Sequence, residues 1–231
     1  MSKPAVTALE PPLSLHIENL SCHYGGHTIL HLPHWQLAQG EHALLLGPSG
    51  CGKTTLLHAL AGLMPVQAER LEVAGQDLPA LSNKQRDAWR GQRVGLVFQQ
   101  LHLIGALTVQ QNLLLAMPLA GAVANRDTVQ HLLQTLGLAT LAARKPHQLS
   151  RGQQQRAALA RALVNRPRII LADEPTASLD DVHATQAIDL LLAQARAINA
   201  TLVVATHDAR IKPLFQNILD LTLVTKMGAA A

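Results

Sequence analysis

One short stretch, Gly47-Pro48-Ser49-Gly50-Cys51-Gly52-Lys53-Thr54-Thr55, constrains the fold of this chain more than any other. It fits the phosphate-binding pattern G-x-x-x-x-G-K-[ST] at every fixed position. The apolar run before it, 42–46, is typical of a buried strand, and the segment after it, 56–61, is rich in strong helix formers. Because this strand–loop–helix order is the context that the motif requires, the sequence predicts a nucleoside triphosphate site. The alternative is a glycine-rich turn in another kind of α/β protein.

The residue types in this loop suit the binding of phosphate. Its glycines let the backbone curl so that N–H groups converge on phosphate oxygens, and the helix that follows adds a partial positive charge. We expect Lys53 to reach the β- and γ-phosphates and the Thr54 hydroxyl to bind Mg²⁺. The predicted phosphate-binding residues are therefore Gly47, Pro48, Ser49, Gly50, Cys51, Gly52, Lys53, Thr54 and Thr55.

The remainder of the chain predicts a mixed α/β fold. Residues Leu13–Leu20 alternate apolar and polar side chains, and strand-like segments follow at Thr28–Leu32 and at Trp35–Leu46, broken at Gln39-Gly40. This pattern indicates an antiparallel sheet that leads into the phosphate loop. Further strands are predicted over 94–98, 168–173, 201–206 and 218–224, and leucine, alanine and glutamine at helical spacing predict helices over 101–148.

The predicted fold class is thus a phosphate-loop NTPase core of α/β type, with an antiparallel β subdomain and an inserted α-helical subdomain at about 100–160. We expect a single domain over 13–225, a disordered N-terminal tail over 1–12 and a short C-terminal tail over 226–231. The longest apolar stretch, 113–124, is interrupted by Pro118 and Gly121 and is too short for a membrane span. We therefore expect any membrane role to depend on a partner.

The amino-acid composition limits which partners and which cellular compartment we expect for this chain. The net charge is +4 and the basic residues are dispersed, so the sequence predicts no nucleic-acid partner. Two cysteines, one of them inside the phosphate loop, do not form a disulfide framework and favour a reducing compartment. The N-terminus lacks the apolar core of a signal peptide.

Five further segments, taken with the phosphate loop, resemble the nucleotide-binding subunit of ATP-binding-cassette (ABC) transporters. The resemblance covers nearly the whole chain, and the segments follow in the family's order. They are the Gln loop at Gln99, the signature Leu149-Ser150-Arg151-Gly152-Gln153-Gln154-Gln155-Arg156, the second acidic motif 169–175, the D-loop Ser178-Leu179-Asp180 and the switch histidine His207.

This resemblance implies an ATPase that uses ATP and Mg²⁺ as cofactors, in which positioning and charge neutralisation matter most. It implies Glu174 as general base, with catalytic roles for His207, Gln99 and Lys53. The implied metal ligands are Thr54, Gln99 and Asp173. Tyr24, the only tyrosine, is expected to stack on adenine. The alternatives are a solvated cap for Asp173-Glu174, a strand-end histidine at 207 and an ordinary strand-end aromatic at 24.

The resemblance also implies a dimer, expected to be a homodimer, in which two chains enclose two ATP molecules. Ser150, Arg151, Gly152, Gln153 and Asp180 would then contact the nucleotide bound to the opposing subunit. Arg151 departs from the family, since it replaces the first of two usual glycines. A cation in the first helical turn opposes the macrodipole by about 0.3–1 kcal/mol. Because ATP nearby would offset this, we expect Arg151 to strengthen nucleotide-dependent closure.

The run 103–112 resembles the group that serves lipoprotein release and macrolide export in bacteria. This implies a membrane permease that contacts residues near 98–112, and a location on the cytoplasmic face of the inner membrane. Amino-acid importers share much of the pattern and remain an alternative, as does a cassette that signals to cell-envelope machinery without transport. A ribosome- or DNA-associated cassette and a kinase-like phosphate-loop enzyme are weaker alternatives, since the chain has one cassette, no heptad run and a signature helix.

Overall fold

The computed structural model of this chain describes residues 12–25, 27–177 and 179–222, which form two β-sheets surrounded by helices. The strands are β1 (Leu13–Tyr24), β2 (His27–Ala38), β3 (His42–Leu46), β4 (Arg70–Val73), β5 (Gln76–Asp77), β6 (Val94–Val97), β7 (Ile169–Asp173), β8 (Thr201–Thr206) and β9 (Asn217–Asp220). The α-helices are α1 (Lys53–Leu60), α2 (Asn83–Arg93), α3 (Val109–Leu119), α4 (Arg126–Thr135), α5 (Arg151–Leu163) and α6 (Asp181–Ala197). Short 3₁₀ helices cover Ala139–Leu141, Pro146–Gln148 and Ala209–Leu214.

The two sheets differ in strand direction. The antiparallel sheet has the order β2-β1-β4-β5, and the parallel sheet has the order β6-β7-β8-β3-β9. Helices α3 and α4 lie in the segment between β6 and β7, where the sequence predicts a helical insertion. The predicted fold class is therefore confirmed: an α/β core carries an antiparallel sheet and an inserted set of helices.

The three central strands of the parallel sheet, β3, β7 and β8, are buried on both faces, and this explains why they are continuous apolar runs in the sequence. In β3, Leu44 packs into one hydrophobic cluster while Ala43 and Leu45 pack into the other. Strand β8 divides in the same way, with Val204 on one side and Val203 on the other. One cluster lies under α3–α6 and the second joins the parallel sheet to α1 and the antiparallel sheet. The phosphate loop thus leaves a strand that is fixed from both sides.

Strand β2 corrects one expectation about the antiparallel sheet. The sequence predicts separate strands at Thr28–Leu32 and from Trp35, whereas the structure has one strand that continues through Pro33. A proline lacks the N–H that a central strand needs, but β2 is the edge of its sheet. An edge position tolerates proline, so the chain breaks only at the predicted Gln39-Gly40.

The predicted last strand is also too long. The sequence predicts a strand over 218–224, whereas β9 ends at Asp220 and the chain is helical at Leu221 and Thr222. The Thr222 N–H donates to Asp220 Oδ1 at 2.9 Å, which turns the backbone out of the sheet. The predicted N-terminal tail, apart from residue 12, and the predicted C-terminal tail lie outside the described residues.

Helix α5 packs unusually close to β6. A side chain at Gly95 would place its Cβ 2.7 Å from the Ala162 carbonyl oxygen and 3.0 Å from Pro167 Cγ. Only glycine fits this approach without a shift of backbone. The C-terminal end of the helix that begins with the signature is therefore held directly against the strand that leads to the Gln loop.

Asn112 organises the loop between β6 and α3. It is 2% exposed. Its Oδ1 accepts from the Ile104 N–H at 2.8 Å, and its Nδ2 lies 2.9–3.3 Å from the carbonyl oxygens of Ile104, Leu107 and Thr108. One buried amide thus fixes the shape of residues 104–108.

We expect Asn112→Ala to lower the free energy of unfolding by about 1–3 kcal/mol, because it leaves buried backbone groups without partners. Denaturant unfolding followed by circular dichroism measures this loss. Gln110→Ala, in the same first turn of α3 and more exposed, is the matched control for helix propensity, because its side chain makes no hydrogen bond to the described residues. Equal stabilities for the two variants would contradict the assignment.

Candidate functional site

The phosphate loop connects the carboxyl end of β3 to α1. Gly52 precedes the helix with φ of 98°, a left-handed conformation in which other residues are strained. The Lys53 side chain is 6% exposed, and its Nζ donates to the carbonyl oxygens of Gly47 at 2.7 Å and Pro48 at 3.0 Å. The first turn of α1 contains no acidic residue, so no side chain within that turn offsets the partial positive charge of the helix N-terminus. This arrangement can accept an anion beside Lys53.

The Thr54 hydroxyl, at the end of this loop, contacts the carboxylate of Asp173. Thr54 Oγ1 donates to Asp173 Oδ2 at 2.9 Å, whereas Asp173 Oδ1 is buried and has no hydrogen-bond partner among the described residues. Burial raises the pKa of Asp173, the hydrogen bond from Thr54 opposes this, and the nearby charge of Glu174 raises it further. An unpartnered carboxylate oxygen beside a hydroxyl fits the oxygen ligands that Mg²⁺ prefers.

Glu174 lies one residue beyond β7 and is held from several directions. Its Oε2 accepts from Thr206 Oγ1 at 2.8 Å, and its Oε1 lies 2.9 Å from His207 Nδ1 and 3.6 Å from Lys53 Nζ. Its φ is 46°, and its N–H donates to the Ala205 carbonyl at 2.8 Å. The side chain is 13% exposed, whereas that of His207 is 60% exposed. A carboxylate fixed in this way can orient a water molecule and accept its proton.

Gln99 is exposed and lies in the loop that follows β6. In the described residues no hydrogen bond joins it to Thr54 or Asp173, so its predicted place in the metal shell stays a prediction. Its carbonyl lies 3.5 Å from Arg151 Nη2, and both residues line a small cavity together with Glu174. Arg161 of α5 also donates to this loop, at 3.0 Å to the Leu101 carbonyl.

The signature begins α5 with a complete capping box. The Gln153 N–H lies 3.3 Å from Ser150 Oγ, and the Ser150 N–H donates to Gln153 Oε1 at 2.9 Å. A side chain on Gly152 would meet nothing within 4 Å. Ser150 and Gly152 line a cavity of about 650 Å³ between α5 and α6. Across the part of the chain that the structure describes, no hydrogen bond links the signature to the phosphate loop.

Asp180 caps the N-terminus of α6. Its carboxylate accepts from the His183 N–H at 3.0 Å and lies 2.8 Å from His183 Nδ1. The backbone and side-chain hydrogen bonds from His183 lower the pKa of Asp180. The D-loop residue Ser178 and the side chain of Tyr24 lie outside the described residues, so the stacking role predicted for Tyr24 stays a prediction.

Several residues that position this site are not predicted from the sequence. Thr206 bonds Glu174, and Asp208 accepts from Thr176 Oγ1 at 3.2 Å. Hydroxyl residues at strand ends are common, so only their position beside Glu174 and His207 could have pointed to them. Of the other predicted residues, the structure places Lys53, Thr54, Asp173, Glu174 and His207 at adjacent carboxyl ends of β3, β7 and β8. In α/β sheets this edge is where ligands bind.

Comparison with known proteins gives the same architecture. The family model described as "ABC transporter" matches residues 30–177. The lipoprotein-releasing system ATP-binding protein LolD of Legionella pneumophila (strain Paris) is 39% identical over 188 residues, which cover 80% of this chain and 82% of that protein. LolD of Xanthomonas oryzae pv. oryzae (strain MAFF 311018) is 42% identical over 188 residues, covering 80% of this chain and 77% of that protein.

Two solved structures are also similar. The dimeric structure of a post-hydrolysis state of the ATP-binding cassette MJ0796 bound to ADP and Pi has a TM-score of 0.78 and 31% identity, covering 89% of this chain and 93% of that one. The structure of cbiO1 from Clostridium perfringens, part of the ABC transporter complex cbiONQ, has a TM-score of 0.81 and 28% identity, covering 90% and 84%. Within the described residues, no helix combines the length and apolar character needed to cross a membrane.

Proposed function

The chain belongs to the ABC transporter family, and on this premise we propose that it is the ATP-hydrolysing subunit of a transporter that releases lipoproteins from a membrane. The observation that carries the chemistry is the Glu174 carboxylate, held by Thr206 and His207 at 3.6 Å from Lys53. Identity of 39–42% to proteins named LolD supports lipoprotein release over an amino-acid importer. A signalling cassette without transport would use the same motor residues.

In this proposal the phosphate loop and Lys53 bind the β- and γ-phosphates. Thr54 and Asp173, with Gln99, would hold Mg²⁺, which neutralises phosphate charge when bound. Glu174 orients the attacking water and accepts its proton, while His207 contacts the γ-phosphate. Little covalent chemistry is asked of the protein, so the fixed geometry of Glu174 accounts for most of its contribution. Tyr24 would stack on adenine.

Hydrolysis requires a second chain in this proposal. Ser150, Gly152 and the other exposed signature residues would contact the ATP bound to the opposing subunit, together with Asp180. Two observations support this: the start of α5 is open to solvent, and the signature makes no hydrogen bond to the phosphate loop of its own chain within the described residues. The related cassette MJ0796 is described as dimeric.

A membrane subunit would dock near 98–112, and the chain would then sit on the cytoplasmic face of the inner membrane. This segment carries Ile104, an apolar side chain that is 44% exposed, on a loop that Asn112 holds in shape. A preorganised loop with an exposed apolar residue is suited to contact a protein partner.

Isolation of a tagged Glu174→Gln chain from detergent-solubilised membranes with Mg-ATP, followed by mass spectrometry, tests the proposal. We expect a co-purifying membrane protein with few spans and a large periplasmic domain. A multi-span permease with a solute-binding protein would instead indicate an importer. Ribosomal proteins or DNA in place of any membrane protein would contradict the transporter function.

Arg151 is expected to support ATP-driven closure of the dimer. Its guanidinium reaches the Gln99 carbonyl at 3.5 Å and lies at the exposed start of α5, where a partner's phosphates would arrive. We expect Arg151→Gly to weaken ATP-driven dimerisation by about two- to fivefold, since an exposed pair of opposite charges is worth about 0.3–1 kcal/mol and this corresponds to that factor. Sedimentation of the variant in a Glu174→Gln background measures the change. An unaltered dimerisation constant would contradict this role.

A further inference from the structure

Arg210 joins two loops that flank the candidate site. It lies in the 3₁₀ helix Ala209–Leu214, three residues after His207. Its Nε donates to Asp208 Oδ1 at 2.7 Å and its Nη2 to Asp208 Oδ2 at 2.6 Å, a bidentate pair. Its Nη1 donates to Asp181 at the start of α6, and its Nη2 lies 3.5 Å from the Leu179 carbonyl of the D-loop.

Asp208 extends this contact to Glu174. Its side chain is 10% exposed, and its N–H donates to Thr206 Oγ1 at 3.0 Å. The same Thr206 hydroxyl donates to Glu174 Oε2 at 2.8 Å. The hydrogen bonds from Arg210 lower the pKa of Asp208, with that from the Arg210 side chain contributing most, so the carboxylate is ionised at neutral pH. A continuous series of hydrogen bonds therefore runs from Asp181 through Arg210 to the carboxylate of Glu174.

Thr176 closes this series from a second side. It is 2% exposed, follows Glu174 by two residues, and its hydroxyl donates to Asp208 Oδ2 at 3.2 Å. The Asp208 carboxylate thus accepts hydrogen bonds both from the segment that follows β7 and from the guanidinium of Arg210. The loop that carries His207 cannot move relative to Glu174 without breaking one of these bonds.

We propose that Arg210 is a positioning residue for ATP hydrolysis, which ties the D-loop and the start of α6 to the loop that carries His207. Contact between the D-loop and a second subunit is then transmitted through Arg210 to the loop that places His207 beside Glu174. This inference rests on the dimer of the proposed function. Arginine is required because its planar fork reaches Asp208 and Asp181 together, whereas the single ammonium of lysine does not.

The experiment compares Arg210→Lys, Asp181→Asn and the double variant in the purified chain of 231 residues. We expect each single variant to lower kcat about 10- to 100-fold, because small displacements of catalytic groups have effects of this size. The KM for ATP and the affinity for a non-hydrolysable ATP analogue should change less than about twofold. The double variant should be no slower than Arg210→Lys alone, since Asp181 acts through Arg210.

Arg168→Lys is the matched control, because this arginine precedes β7 and lies at the opposite end of the parallel sheet from Glu174. Arg210→Lys combined with Glu174→Gln should still dimerise with ATP as Glu174→Gln does. Additive losses in the double variant, loss of ATP affinity or loss of dimerisation would each overturn the proposal. If the wild-type chain itself hydrolyses no ATP, the proposed function fails instead, so the two failures are distinct.

Discussion

Glu174→Gln should lower the maximal rate of ATP hydrolysis by about 10²–10⁴-fold, the range expected when a general base is removed. Glutamine has the same shape, so Thr206 can still donate to its carbonyl oxygen, as it does to Glu174 Oε2 at 2.8 Å. The amide cannot accept a proton from water at neutral pH. Binding of ATP should persist, because Lys53 and the phosphate loop are unchanged.

Release of phosphate in single-turnover reactions measures this loss, and equilibrium binding of labelled ATP measures the retained affinity. Gel filtration with ATP should reveal an accumulated dimer, since ATP is no longer hydrolysed and the dimer does not dissociate. Glu72→Gln, on an exposed face of β4, is the matched control and should hydrolyse ATP at the wild-type rate. Residual turnover within tenfold of wild type would show that another group acts as the base.

Asp173→Asn should strongly lower Mg²⁺-dependent turnover while stabilising the metal-free protein. Loss of a charged metal ligand is expected to lower the rate by about 10²–10³-fold. In the metal-free state the Asp173 carboxylate is buried near Glu174, and its Oδ1 has no partner among the described residues. Removal of this charge should raise the Tm of the metal-free chain by about 2–4 °C, which corresponds to about 1 kcal/mol at this size.

The raised pKa of Asp173 determines how this difference in Tm should vary with pH. Burial raises the pKa of Asp173 above its ordinary value of 3.8, so the folded state binds the proton more tightly than the unfolded state. Stability of the metal-free wild type therefore falls as pH rises through that window. The Tm advantage of Asp173→Asn should be small in acid and full at neutral pH, as measured by calorimetry in chelator. An advantage that is constant with pH would contradict this origin.

Local patterns were sufficient to predict the phosphate loop, the buried strands and the capped signature helix. Each depends on spacing within a few residues, as in the Ser150–Gln153 capping box that the structure contains. Pro33 is a case in which the local pattern is not sufficient. The sequence signals a break, but whether proline breaks a strand depends on whether that strand is at an edge, which is a property of the whole sheet.

The contacts around Glu174 were out of reach for the same reason. Thr206 and Arg210 are separated from Glu174 by more than thirty residues, and no local pattern records that β7 and β8 are neighbours. The general-base role of Glu174 could be predicted from resemblance, whereas the groups that fix its carboxylate come from tertiary packing. Candidate catalytic residues could thus be named from the sequence, whereas the residues that contact them required the structure.

The close approach at Gly95 has a mechanical consequence. Ala162 contacts this glycine near one end of α5, and Ser150 lies at the other end, about 18 Å away at 1.5 Å per residue. The contact therefore fixes the position of the C-terminal end of the helix relative to β6. A tilt of about 3° about this point displaces Ser150 by about 1 Å, close to the tolerance of a hydrogen bond. A small shift of β6, the strand before the Gln loop, that tilts α5 would therefore displace the signature residues at the N-terminal end of the helix.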